Sequence, residues 1–157
     1  MIQYEVESVC FDPWAEKVRR YWRYLGGGDL YVLLGKPEGY VLLISQPHPV
    51  TGETIHGMLV SEPLILPEYR NLLWHEMGHL RGEQSDSPVD SEFLADKWAM
   101  DLALKKGFTL IAEEIILRCA DFTGDESVNV VYRDAADKII THFIDFAKSV
   151  LKKHGSQ

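Results

Sequence analysis

His75, Glu76, Met77, Gly78 and His79 form the pattern HExxH. Residues four apart lie on one face of an α-helix. A helix over this stretch therefore brings two imidazoles together where they can share one metal ion. Glu76 sits about 100° around the helix axis from His75, so its carboxylate can reach a water beside the metal without being a ligand. Zinc suits such a site: it lowers the pKa of the water, and the carboxylate takes the proton as that water attacks a carbonyl. With six histidines and thirteen glutamates in 157 residues, a chance HExxH has a probability of roughly 2%. The competing reading is a helix with two surface histidines and a surface glutamate.

A catalytic zinc site needs a third protein ligand and an open position. One pattern that supplies it, HExxHxxGxxH, matches here through Gly82 and then fails, because Ser85 is a poor zinc ligand and Asp86 is one residue out of register. The favoured source is the next helix, where Glu92 and Asp96 are four residues apart and share a face. Glu92 then completes a His2Glu set. Asp96 can accept the second ring N–H of a ligand histidine and so fix its tautomer, with Asp101 as a weaker alternative. Ala95 and Ala99 are small and allow close approach of the two helices. On their own, Glu92 and Asp96 would read as a solvated acidic helix start, favoured by the helix dipole.

The elements that must position these groups are legible around them. Pro67 and Glu68 open a helical pattern with apolar residues Leu72, Leu73, Met77 and Leu80. Residues 82–87 are a polar break. Ser87, Pro88, Val89 and Asp90 resemble a capping box with proline at its first helical position, so a helix is predicted over about 88–106, stopping at Gly107. Residues 109–119 predict a third helix, 121–129 a polar loop, and 133–153 a final helix with apolar positions Ile139, Ile140, Phe143, Phe146, Val150 and Leu151. Upstream, Ile2, Tyr4 and Val6 alternate with polar residues over 2–9, the pattern of a half-buried strand. Asp12 reads as a side-chain cap before Pro13. Trp14, Val18, Tyr21 and Leu25 then form an apolar stripe, ended by Gly26, Gly27 and Gly28. Two β-rich runs, 30–34 and 40–45, flank residues 35–39, which read as a hairpin loop, and a turn at 46–53 leads to a further run at 54–60. The first half thus predicts a helix and an antiparallel sheet of three or four strands.

Composition narrows the function classes. The chain carries 24 acids against 16 bases, a net charge of −8, which argues against nucleic acid as the main partner. Lys17, Arg19, Arg20 and Arg23 read as the watered face of an amphipathic helix, since the aromatic stripe already explains the pattern. No apolar run approaches the roughly 18–20 residues of a membrane span. The first residues lack the basic start and apolar stretch of a signal peptide, and Cys10 and Cys119 form no disulfide framework. A cytoplasmic protein with two buried thiols is expected. Asp121, Asp125 and Glu126 lack the ligand spacing of a calcium loop. His48 and His56 are further candidates for the site, as are Tyr132 and His142 for an oxyanion donor, but no spacing selects any of them.

Trp74 to Leu80, read WHEMGHL, and Glu92 to Ala99, read EFLADKWA, together resemble the ImmA/IrrE family of small intracellular zinc peptidases. That family pairs a helical HE[LM]GH with a downstream E-x-x-A-[DN]-x-[FW]-A helix. The E-x-x-x-D spacing is also similar to the gluzincin pattern of thermolysin-like peptidases. The likeness covers residues 55–105, about a third of the chain. It implies zinc held by His75, His79 and Glu92, Glu76 as general base, and Asp96 behind a ligand histidine. It further implies a minimal zincin-like fold of α+β class, a small twisted and mostly antiparallel sheet packed on the HExxH helix and further C-terminal helices. Residues 55–61 would be the strand nearest the cleft, an edge that pairs with an extended peptide; an internal strand is the alternative. The expectation is a single domain over 1–157, a zinc-dependent peptidase acting on a peptide or protein substrate. The alternative is a non-catalytic, zinc-stabilised regulatory or binding protein, with His48 or His56 as a fourth ligand closing the site.

Overall fold

The computed structural model describes residues 5–37, 41–62 and 66–155. The protein is mixed α+β, with four strands and five helices among the described residues. It divides into two compact units, 1–73 and 74–157, the division falling within a helix.

The first unit holds β1 (Glu5–Val9), α1 (Pro13–Tyr24), β2 (Leu30–Lys36), β3 (Val41–Pro47) and β4 (Thr54–Val60). The sheet order is β1-β2-β4-β3. β1 runs antiparallel to β2, β2 parallel to β4, and β3 antiparallel to β4. Three expectations fall here. The sheet is mixed rather than antiparallel, because β2 and β4 pair in parallel. Residues 35–39 do not close a hairpin between neighbours, because β4 lies between β2 and β3; Gly35 and Lys36 extend β2 and pair with β1, while residues 38 and 39 lie outside the described residues. The strand expected to offer an edge to a peptide, β4, is internal. Its backbone is paired on both sides, and the buried run Gly57, Met58, Leu59 and Val60 suits that position. The hairpin instead joins β3 to β4 through the turn after Pro47, where the His48 N–H donates to Glu53 O at 2.7 Å.

α1 packs against β2 on a face that shares only Val18 with the predicted stripe. Ala15, Val18 and Trp22 are its buried residues, and Trp22 meets His56 edge-on at 6.0 Å between ring centroids. Trp22 turns inward while Trp14, Tyr21 and Leu25 stay part-exposed. Asp12 precedes the helix without a side-chain cap hydrogen bond. β1 is exposed throughout rather than half-buried: it is an edge strand with an irregularity between Val6 and Ser8, and Ile2 and Tyr4 lie outside the described residues.

α2 (Leu66–Arg81) carries the chain into the second unit, which also holds α3 (Pro88–Lys106), α4 (Thr109–Thr123) and α5 (Val130–Gly155). The α3 boundaries follow from its caps. The Asp90 N–H donates to the Ser87 Oγ, Pro88 takes the first turn, and Gly107 ends the helix at φ 81°, a left-handed conformation that favours glycine. α4 runs four residues beyond its predicted end, to Thr123. The polar loop then folds on itself, with the Ser127 N–H and O–H both donating to Asp125 Oδ1. α3, α4 and α5 pack against one another around Ala99, Met100, Ala103, Ile111, Ile115, Cys119, Ala135 and Ile139, all buried. Of the apolar residues predicted to line α5, Phe146 and Leu151 are exposed. α5 has 26 residues against 19 in α3, so about 10 Å of it outruns its neighbour.

Candidate metal centre

α2 and α3 meet closely enough that only glycine fits between them. A Cβ on Gly78 would overlap the Ala95 carbonyl oxygen and lie 2.8 Å from the Ala95 C and Cα atoms. Gly78 falls between His75 and His79, and Ala95 between Glu92 and Asp96. The contact therefore sets the spacing of all four polar side chains. Ala95 is a small residue at the predicted place, whereas Gly78 carries the closer constraint; a glycine inside a run of good helix formers is the signal for it.

The two imidazoles stand edge to face, their centroids 4.7 Å apart. His75 Nε2 lies 3.1 Å from His79 Nε2 and 2.9 Å from Glu92 Oε2, and His79 Nε2 lies 3.4 Å from the same oxygen. Donors held at about 2.05 Å around a tetrahedral zinc ion are separated by roughly 3.3 Å, and the sides of this triangle, 2.9 to 3.4 Å, lie near that spacing. Hydrogen bonding alone fits it less well, because His75 Nε2 has at most one proton for two close neighbours. Among the described residues, His75, His79 and Glu92 are the group whose donor atoms converge in this way.

Asp96 lies on the other side of His75. Its Oδ1 accepts from His75 Nδ1 at 2.8 Å, which leaves Nε2 facing His79 and Glu92. Asp96 is itself gripped by Arg118 of α4, whose NH2 lies 2.6 Å from Oδ1 and NH1 3.3 Å from Oδ2. The Cys119 thiol sits 3.9 Å from Oδ2. Sequence reasoning gives Cys119 only as a buried thiol, which it is, and does not mark Arg118. The signal for Arg118 is a lone cation inside the apolar run Ile115, Ile116, Leu117 and Cys119.

Burial and charge pull these groups in opposite directions. Burial alone would push His75 down, but the Asp96 carboxylate outweighs it, and the imidazole is held up at about 10 in the metal-free protein. Burial would raise Glu92, yet hydrogen bonds from His75 and His79 bring it down to about 2. Asp96 opposes its own burial through Arg118 and His75 and is held well below the usual carboxylate range. Burial pushes Glu76 upward, with His75 and His79 opposing and Glu92 adding to the rise. Burial also raises the Cys119 thiol to about 12, so this cysteine is inert at neutral pH.

The other candidates have partners of their own. Asp101 pairs with His142 at 2.9 Å and Lys97 at 3.2 Å, and His142 also stands edge-on to Phe93. His48 Nδ1 accepts from the backbone N–H groups of Val50 and Thr51. His56 Nδ1 is bonded to Ser45 Oγ at 2.8 Å. Tyr132 packs near Phe122 and is exposed. No protein-family model matches the chain, and no curated protein or solved structure matches it.

Proposed function

We propose that this protein is a zinc-dependent peptidase with a minimal zincin-like fold. The observation that carries the proposal is the triangle of His75 Nε2, His79 Nε2 and Glu92 Oε2, with sides of 2.9 to 3.4 Å. The donor set, two imidazoles and one carboxylate, fits zinc in a three-ligand site of the catalytic type. Zinc, when bound, supplies a Lewis acid that polarises a carbonyl and lowers the pKa of water.

The chain's own residues do the rest. His75 and His79 present Nε2 from successive turns of α2, and Glu92 closes the third side from α3. Asp96 holds His75 by Nδ1, so the ring cannot turn its other nitrogen to the metal. Glu76 accepts a proton at a carboxylate oxygen from the attacking water and returns it to the leaving amine nitrogen. Its burial keeps the carboxyl more basic than an exposed glutamate, which suits that exchange. A peptide or protein substrate follows from the likeness of the two helices to small intracellular zinc peptidases. The net charge of −8 disfavours nucleic acid in that role, and two free, buried thiols suit a reducing cytoplasm.

The test is Glu76→Gln in the full chain, assayed for zinc content and for hydrolysis of a fluorogenic peptide library. The variant should keep one zinc per chain and lose hydrolysis by about 10²–10⁴-fold. Wild-type turnover in the zinc-loaded variant would contradict the proposal.

A further inference from the structure

The geometry points to Arg118 as a positioning residue for the metal centre: its guanidinium clamps Asp96, and through Asp96 it fixes the His75 ring that faces the metal. The inference rests on the zinc reading above. It adds a third helix, α4, to a site otherwise built from α2 and α3.

A carboxylate that held His75 by one hydrogen bond could rotate about its own axis and let the imidazole swing. Here both Asp96 oxygens are held. The two guanidinium nitrogens meet Oδ1 at 2.6 Å and Oδ2 at 3.3 Å, a two-pronged grip that defines the carboxylate plane. Oδ1 is shared between Arg118 and His75 Nδ1, so the orientation of one sets the orientation of the other.

The pairing also settles charge. A metal-bound imidazole is neutral, and a buried carboxylate facing only a neutral ring would be an uncompensated charge. Arg118 supplies the cation. Its side chain is 14% exposed against 5% for Asp96, so the pair is shielded from water. Arg118 is steadied in turn by Phe122, one turn along α4, whose ring centroid lies 5.8 Å from the guanidinium carbon. Lysine cannot replace this grip, because a point charge fixes no plane.

The test uses the full chain with Arg118→Met and Arg118→Lys, titrated with zinc against a chelator and with cobalt(II) as a spectroscopic probe. Arg118→Met should bind zinc about 10–100-fold more weakly than wild type, with altered visible bands in the cobalt form. Arg118→Lys should fall between the two. A merely structural role would lower the melting temperature of the metal-free protein and leave both the zinc affinity and the cobalt spectrum unchanged. That result would overturn the inference while leaving the zinc reading intact. A wild-type protein that binds no zinc would overturn both. If Arg118→Met fails to fold, Arg118→Lys decides alone: weakened zinc binding with a changed cobalt spectrum supports the clamp, and wild-type values refute it.

Discussion

Replacing Gly78 with alanine adds one methyl group at the point where α2 and α3 touch. The new carbon would lie 2.8 Å from the Ala95 C and Cα atoms, with the Ala95 carbonyl oxygen nearer still. Non-bonded carbons rest at about 3.5 Å, so the helices must part by at least about 0.7 Å. The same movement carries Glu92 and Asp96 away from α2. His75 Nε2 to Glu92 Oε2 would open from 2.9 Å, and His75 Nδ1 to Asp96 Oδ1 from 2.8 Å, each by a similar amount. That takes both beyond good hydrogen-bond length and loosens a site whose chemistry tolerates about 0.5 Å. The overpacking should cost about 1–3 kcal/mol, which lowers the melting temperature by roughly 2–4 °C per kcal/mol for a chain of this size. Zinc affinity should fall at least about tenfold. Differential scanning fluorimetry and chelator competition measure the two effects. Because the obstructing atoms are Ala95 backbone, adding Ala95→Gly should not restore binding. Gly124→Ala, whose nearest contact would be an ordinary 3.7 Å, should leave zinc binding unchanged. A Gly78→Ala protein with wild-type zinc affinity and melting temperature would refute the reasoning.

Zinc affinity should also depend on pH. In the metal-free protein His75 is held up at about 10, so zinc must displace its proton throughout the neutral range. The apparent affinity should rise with pH by up to about tenfold per unit between roughly pH 6 and 8, read by chelator competition; a flat profile would contradict it. The same shift has a stability consequence of opposite sign. Protonated His75 stabilises the metal-free fold fully below its unfolded pKa of about 6.5, and that contribution is lost as pH rises through about 10; denaturant melts across the range should show metal-free stability falling. Ser87→Ala removes the oxygen that accepts the Asp90 N–H at 3.3 Å and should cost about 1 kcal/mol, measured by urea unfolding.

Much of the site was legible because its signals are local. Ser87, Pro88 and Gly107 bound α3 through cap chemistry that depends on neighbouring residues alone, and the four-residue spacings within each helix put His75 with His79 and Glu92 with Asp96. The strand order was not legible. Residues 35–39 have the composition of a tight hairpin, and nothing in a short window reveals that β4 will insert between β2 and β3. The α1 face was legible only in part: Val18 is buried as expected, but Tyr21 and Trp22 are adjacent, both fit a helical period, and packing against the sheet selected Trp22. Arg118 lies 22 residues from Asp96 on a different helix, so only its oddity in an apolar run marked it. Gly78 was in plain view inside HExxH, yet its role depends on how closely α3 approaches, a distance that spacing does not encode.

The most direct measurement is a crystal structure of zinc-loaded protein with anomalous data at the zinc absorption edge. It should show one zinc ion bound by His75 Nε2, His79 Nε2 and Glu92 Oε2, each at about 2.0–2.2 Å, with Glu76 outside the ligand set. No anomalous peak between α2 and α3, or a zinc ion held without Glu92, would contradict it.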